Sequence, residues 1–116
     1  MNFRIILCLA MLTGAVAGPV AANDWTRLTG AEIEAALNDT TLQYVDAEQK
    51  FYASGKTLYD HGRPSWGNWA VRGDEYCSQW PPADGWACYR MDRNAVDGRL
   101  RFVTKAGATT EGTILE

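Results

Sequence analysis

The chain lacks the signatures of most familiar chemistries. It contains no G-x-G-x-x-G, no P-loop, no C-x-x-C-H and no H-E-x-x-H. Nucleotide, c-type haem and metalloprotease functions therefore have no motif behind them, and nothing in the pattern can form a dinucleotide-binding βαβ unit. Histidine occurs once, at His61, too few for a zinc site built with two cysteines. No metal or other cofactor is expected. Positive charge is not in surplus: 11 Lys and Arg are mixed with 14 Asp and Glu, for a net charge of −3. A nucleic-acid binder would show a basic patch, so nucleic acid is excluded as a partner. Long apolar runs are missing as well. The longest, from Ile5 to Ala17, has 13 residues, whereas a membrane helix needs about 20. There are no repeats, low-complexity tracts or linkers, and 116 residues set a ceiling of one domain.

The short apolar run has its own meaning. Arg4 is the only charge in residues 1–22, and small residues follow the run: Gly14, Ala15, Ala17, Gly18, Ala21 and Ala22. A basic start, a short apolar core and a small-residue end describe a secretory signal peptide. Val20 and Ala22 suit positions −3 and −1, so cleavage after Ala22 is preferred and cleavage after Ala17 is second choice. Cys8 lies inside the apolar run rather than after it, so it leaves with the leader instead of anchoring a lipoprotein. The mature chain is then 23–116, a single small β domain of 94 residues with no membrane span. Loss of Arg4 leaves 10 basic and 14 acidic residues, a net charge of −4. A periplasmic or secreted location follows, and a monomer is expected.

Thr29 with Glu32 three residues on forms a capping box, and Leu28 can staple onto Ile33. Ile33, Ala36 and Leu37 fall on one helix face. The spacing predicts a helix over 30–37, ended by Asn38 and Asp39, after a short lead through Trp25. Beyond Thr40 the period changes to two. Segments at 41–45, 50–53, 57–60, 67–72, 75–80, 86–91, 100–104 and 110–115 are rich in aromatic and β-branched residues and are separated by turn residues. That is the pattern of an antiparallel meander. Ser54-Gly55, Gly73-Asp74, Asp97-Gly98 and Ala106-Gly107 suit tight turns. The stretches His61 to Pro64 and Trp80 to Gly85 read as longer loops because proline cannot donate to a ladder. The expected fold is mainly β: a short capped helix followed by a seven- or eight-stranded meander, closed or nearly closed as a small barrel. With strands this short, its interior is expected to be mostly filled by side chains.

Cys77 and Cys88 are the most specific feature. An even cysteine count in an exported domain this small reads as a disulfide. Here it staples one hairpin, and with about 12 residues in the closed loop it contributes about 3 kcal/mol. Redox chemistry favours C-x-x-C instead. Trp66, Trp69, Trp80 and Trp86 form an aromatic group. With Arg63 and Tyr89 nearby, Trp66, Trp80 and Trp86 could present a ligand or partner surface. The plainer reading is that tryptophan fills a small core and covers the disulfide, with Trp69 buried. Trp80 and Trp86 flank the Pro-Pro loop and could stack across its base, and one of them is expected to stay partly exposed. His61 is the one acid–base candidate, though Asp60 points to the opposite face while both remain in a strand. Ser54, Ser65 and Ser78 have no nucleophile-elbow glycines. Arg72-Gly73-Asp74 spells an adhesive tripeptide, but between two strands it is also what a hairpin turn needs.

The stretch Gly67-Asn68-Trp69, Cys77, Cys88-Tyr89 and Leu100-Arg101-Phe102-Val103 resembles small exported proteins of Gram-negative bacteria. They share G-x-W, then C, then C-Y, then an apolar strand. The resemblance covers most of the mature chain and implies a calycin-like barrel, but it carries over no catalytic residue.

These features point to a non-enzymatic periplasmic binding or accessory module, for a small molecule or an envelope protein. Two other readings share part of the evidence in the residues. One is a small hydrolase-like enzyme with His61, Asp60 or Arg63 at the barrel mouth. The other is an inhibitor that presents the loop from Pro81 to Gly85.

Overall fold

A computed structural model describes residues 24–116. The expected leader, with Cys8 and both expected cleavage points, lies outside the described residues. The elements are β1 (Trp25–Arg27), α1 (Gly30–Leu37), β2 (Thr40–Gln43), β3 (Glu48–Phe51), β4 (Lys56–Asp60), β5 (Pro64–Arg72), β6 (Glu75–Gln79), β7 (Trp86–Asn94), β8 (Leu100–Val103) and β9 (Thr109–Leu115).

The helix forms where its cap dictates. The Thr29 hydroxyl accepts from the Glu32 amide at 3.2 Å, and the Glu32 carboxylate accepts from the Thr29 amide at 2.8 Å. Two amides that the helix leaves unpaired are thereby satisfied. Asp39, at φ 54°, turns the chain into β2. An eight-residue helix is marginal alone. This one is held by Leu28, Ile33, Ala36 and Leu37, all buried in the main core. Its first residue sits against the turn between β5 and β6: the Gly30 amide donates to Asp74 Oδ1 at 2.7 Å. A Cβ at Gly30 would lie 2.1 Å from the Gly73 carbonyl oxygen, so only glycine permits this approach.

From β2 onward each strand pairs antiparallel with the next, and β2 also pairs with β9. Eight strands therefore close into a meander barrel, the upper end of the expected count. β1 adds a ninth strand where only a short lead was expected. β7 makes this possible by its length. Trp86 through Tyr89 pair with β6, while Arg90 through Arg93 pair with β8. β1 joins opposite Asp92, Arg93 and Asn94, beyond the end of β6. Several strand bounds also differ from expectation: β3 spans Glu48–Phe51 rather than 50–53, β7 runs on to Asn94, and β5 begins at Pro64 rather than Gly67. Proline is tolerated there as the first residue of a strand.

Cys77 and Cys88 face each other in register on β6 and β7 and are joined by the disulfide. They lie on the outer face, yet Cys77 is fully buried. Trp86 and Arg72 explain this. They sit two residues beyond Cys88 and Ala70 on that face and meet diagonally across it, the guanidinium 4.4 Å from the ring centroid. Arg72 and Asp74 are thus both engaged by the barrel, which leaves the tripeptide with a structural use.

Phe51 organises the interior, meeting Trp69 and Tyr76 edge-on at 5.8 Å each. Trp69 is buried as expected and donates its indole N–H to the Tyr52 carbonyl at 2.8 Å. Because strand direction alternates, the turns at 52–55 and 73–74 gather at the end that α1 covers. The loops at 44–47, 61–63, 80–85 and 104–108 gather at the other. Among the described residues no helix is long and apolar enough to cross a membrane.

Candidate functional site

The uncovered end of the barrel is a cup. Its volume is about 1010 Å³. The sequence suggested an interior mostly filled by side chains. In the structure Phe51, Trp69, Leu37 and Ile33 fill only the helix-covered half. The other half stays hollow because its inward positions are occupied by tyrosines and small polar residues that line the wall without meeting at the axis.

Each wall residue arrives by strand parity. Tyr44 follows the last residue of β2, Gln49 opens the inward face of β3, Tyr59 lies on β4, Ser65 on β5, Tyr76 and Ser78 on β6, Tyr89 on β7 and Phe102 on β8. Two glycines shape the wall. A Cβ at Gly67 would lie 2.6 Å from the Trp80 ring, and one at Gly112 would lie 3.0 Å from the Tyr44 ring. Both rings therefore lie directly on bare backbone. Trp80 is further fixed by its indole N–H, which donates to Ser78 Oγ at 3.2 Å, and by an edge contact with Tyr59.

The floor is a polar network in an otherwise aromatic lining. Tyr44 donates its hydroxyl to Gln49 Oε1 at 2.7 Å. Gln49, itself buried, donates to Thr57 Oγ1 at 2.9 Å and to the Tyr76 hydroxyl at 3.4 Å. Thr57 donates its hydroxyl to the Lys50 carbonyl at 2.8 Å. The Gln49 amide is thus fully used, as a buried amide must be. Burial pushes the Tyr76 hydroxyl up to about 12, partly offset by hydrogen bonds from Ser78 and Gln49. Burial, with Tyr76 and Tyr59 beside it, raises Tyr44 even further above the usual tyrosine range. Both phenols are therefore neutral donors. With Gln49 donating to its oxygen, Tyr76 keeps its own hydroxyl proton for a guest in the cup.

The sequence candidates separate. Trp80, Tyr89 and Trp66 belong to the cup, Trp66 at its edge. Trp86 faces outward under Arg72, so Trp80 and Trp86 do not stack on each other. Both are half-buried, and Trp66 is the most exposed tryptophan, at 55%, stacked on Tyr52. Arg63 is exposed on the loop between β4 and β5 and does not line the cup. His61 sits on the same loop with its ring 5.5 Å from Tyr59. Asp60 bonds the Gly62 amide instead of His61. Among the described residues no group of three potential metal ligands comes together. Sequence reading missed Tyr44, Gln49, Tyr59 and Tyr76. The available signal was parity: tyrosines 59, 76 and 89 fall on the inward face of three different strands, and Tyr44 continues the inward parity of β2 just past its end.

No protein-family model, curated protein or solved structure matches the chain.

Proposed function

We propose that the chain is an exported, periplasmic, monomeric binding module without catalytic activity, and that its cup holds one small aromatic or apolar molecule. The observation that carries this reading is the cup itself: a concave, aromatic-walled site with a few convergent polar groups, in the size range of small-molecule pockets. The closed half of the barrel supports the wall rigidly, which favours binding by limiting the ordering that a ligand must impose. The basic-then-apolar leader and the disulfide support export to an oxidising compartment. The acid–base reading has little to stand on, because His61 lies outside the lining and Asp60 is bonded elsewhere.

The test uses the mature chain, incubated with envelope extract and examined by native mass spectrometry and tryptophan fluorescence. A retained small mass should appear together with a change in emission that the Trp80→Phe variant abolishes. No retained mass and no change in emission would refute the reading.

A further inference from the structure

The charges of the barrel are sorted with unusual consistency. Lys50 stands between the inward residues Gln49 and Phe51, so it points outward, and its ammonium lies over the Tyr52 ring at 5.2 Å. Arg90 stands between Tyr89 and Met91, and Arg101 between Leu100 and Phe102. Both reach Asp92, at 3.2 and 2.8 Å, on the outer face. Arg99 pairs with Asp97 and Glu111, and Arg72 covers Trp86. Glu48, Lys56, Asp60, Glu75 and Glu111 share the outward parity of their strands. Arg93 alone has inward parity, and it lies opposite Leu100 at the helix-covered end of β7, away from the cup. Asp46 stands at the rim, exposed.

Among the described residues, the only charged ones that border the cup are two carboxylates, Asp46 at the exposed rim and Glu111, which is held by Arg99, and no cationic side chain borders it. An anionic head group placed there would lose its hydration and gain no counterion, which is strongly unfavourable. The two floor tyrosines already register this: burial is the main cause that raises both. A cation would find ring faces, but of the two bordering carboxylates Asp46 is exposed to solvent and Glu111 is already paired with Arg99. The floor instead offers one neutral hydroxyl donor, Tyr76, since those of Tyr44 and Thr57 are already used.

Resting on the reading of the cup as a binding site, we infer that it is built for an uncharged aromatic ligand and rejects anions of the same shape. This separates it from a carrier for carboxylated lipids or phosphorylated molecules, which would need an inward lysine or arginine.

Two fluorescent probes with one anilinonaphthalene skeleton test this. N-phenyl-1-naphthylamine is neutral, and 8-anilino-1-naphthalenesulfonate adds a sulfonate. Binding to the mature chain is followed by energy transfer from tryptophan. The neutral probe is expected to bind at least tenfold more tightly. Thr110→Lys, which places a cation on the inward face of β9 beside Phe102, is expected to narrow the gap. Equal or tighter binding of the sulfonate by the unmodified chain would overturn the inference while leaving the cup a binding site. Failure of both probes to bind would remove the cup reading and this inference with it.

Discussion

Replacing Gly67 by alanine tests whether Trp80 forms the cup wall in the way described. Gly67 does not have a positive φ, so its backbone would accept alanine without strain. The obstacle is contact alone. The added methyl would lie 2.6 and 2.8 Å from two Trp80 ring carbons and 2.8 Å from the Gln79 carbonyl, all inside the 3.4 Å at which ordinary contact begins. The ring cannot swing away freely, because its N–H is bonded to Ser78 and its edge rests near Tyr59. The carbonyl belongs to the next strand and would have to move with the ladder. Overpacking of this kind costs about 1–3 kcal/mol. Alanine also lowers the entropy of the unfolded chain, which returns about 0.4–1 kcal/mol where no clash exists. A net loss of roughly 1–2 kcal/mol lowers Tm by about 4–8 °C per kcal/mol in a domain of this size. Urea unfolding followed by near-UV circular dichroism measures the loss, and tryptophan emission reports the displaced ring. In a Trp80→Ala background only the carbonyl conflict remains, so Gly67→Ala should cost at least about 1 kcal/mol less there. Wild-type stability with unchanged emission, or the same cost in both backgrounds, would refute the packing argument.

Other outcomes follow from the same structure. Reduction of the disulfide, or Cys77→Ser with Cys88→Ser, should lower stability by about 3 kcal/mol, read as a drop in Tm between oxidised and reduced protein. Asp74→Ala removes the acceptor for the Gly30 amide and should cost about 1–2 kcal/mol. Gly30→Ala, which drives a methyl into the Gly73 carbonyl, should cost more than Asp74→Ala, and chemical denaturation ranks the two. Tyr76 ionises near pH 10 when unfolded but near 12 when folded. The raised value favours the folded state below pH 10, and that contribution is lost as pH climbs from 10 to 12, at about 1.4 kcal/mol per pH unit. Phenolate absorbance during alkaline titration should show this late tyrosine, and Tyr76→Phe should flatten the stability loss in that window.

Local chemistry made much of the fold legible. The capping pair Thr29 and Glu32 marks the helix because both partners lie within one turn of sequence. Gly55, Gly73, Gly98 and Gly107 mark turns because each adopts a positive φ. Parity on β5, β7 and β8 correctly separates inward Trp69, Met91 and Phe102 from outward Arg72, Cys88 and Arg101. What could not be read is non-local. Pairing of β2 with β9 closes the barrel, and no residue in either strand announces it. The turn at 44–47 contains neither glycine nor proline; it is held by the Tyr44 amide on the Ala47 carbonyl at 2.7 Å and by the Gln43 side chain on the same carbonyl. Gln49 looks like a surface residue until the hydroxyls of Tyr44, Thr57 and Tyr76, from three other segments, converge on it. The cup was illegible for a similar reason. Alternation says that a tyrosine points inward, but not whether it meets another side chain at the axis.

The helix covers one end of the barrel and leaves the other open, so folding and recognition occupy separate halves. Phe51, Trp69 and the helix contacts lie at the end opposite the loops at 61–63, 81–85 and 105–108, whose residues are exposed. Changes in those three loops are therefore free to reshape the mouth without a large effect on stability. A chain built this way can diversify its guest by loop exchange on a constant base, and a library randomised in those loops should retain cooperative unfolding in most of its members.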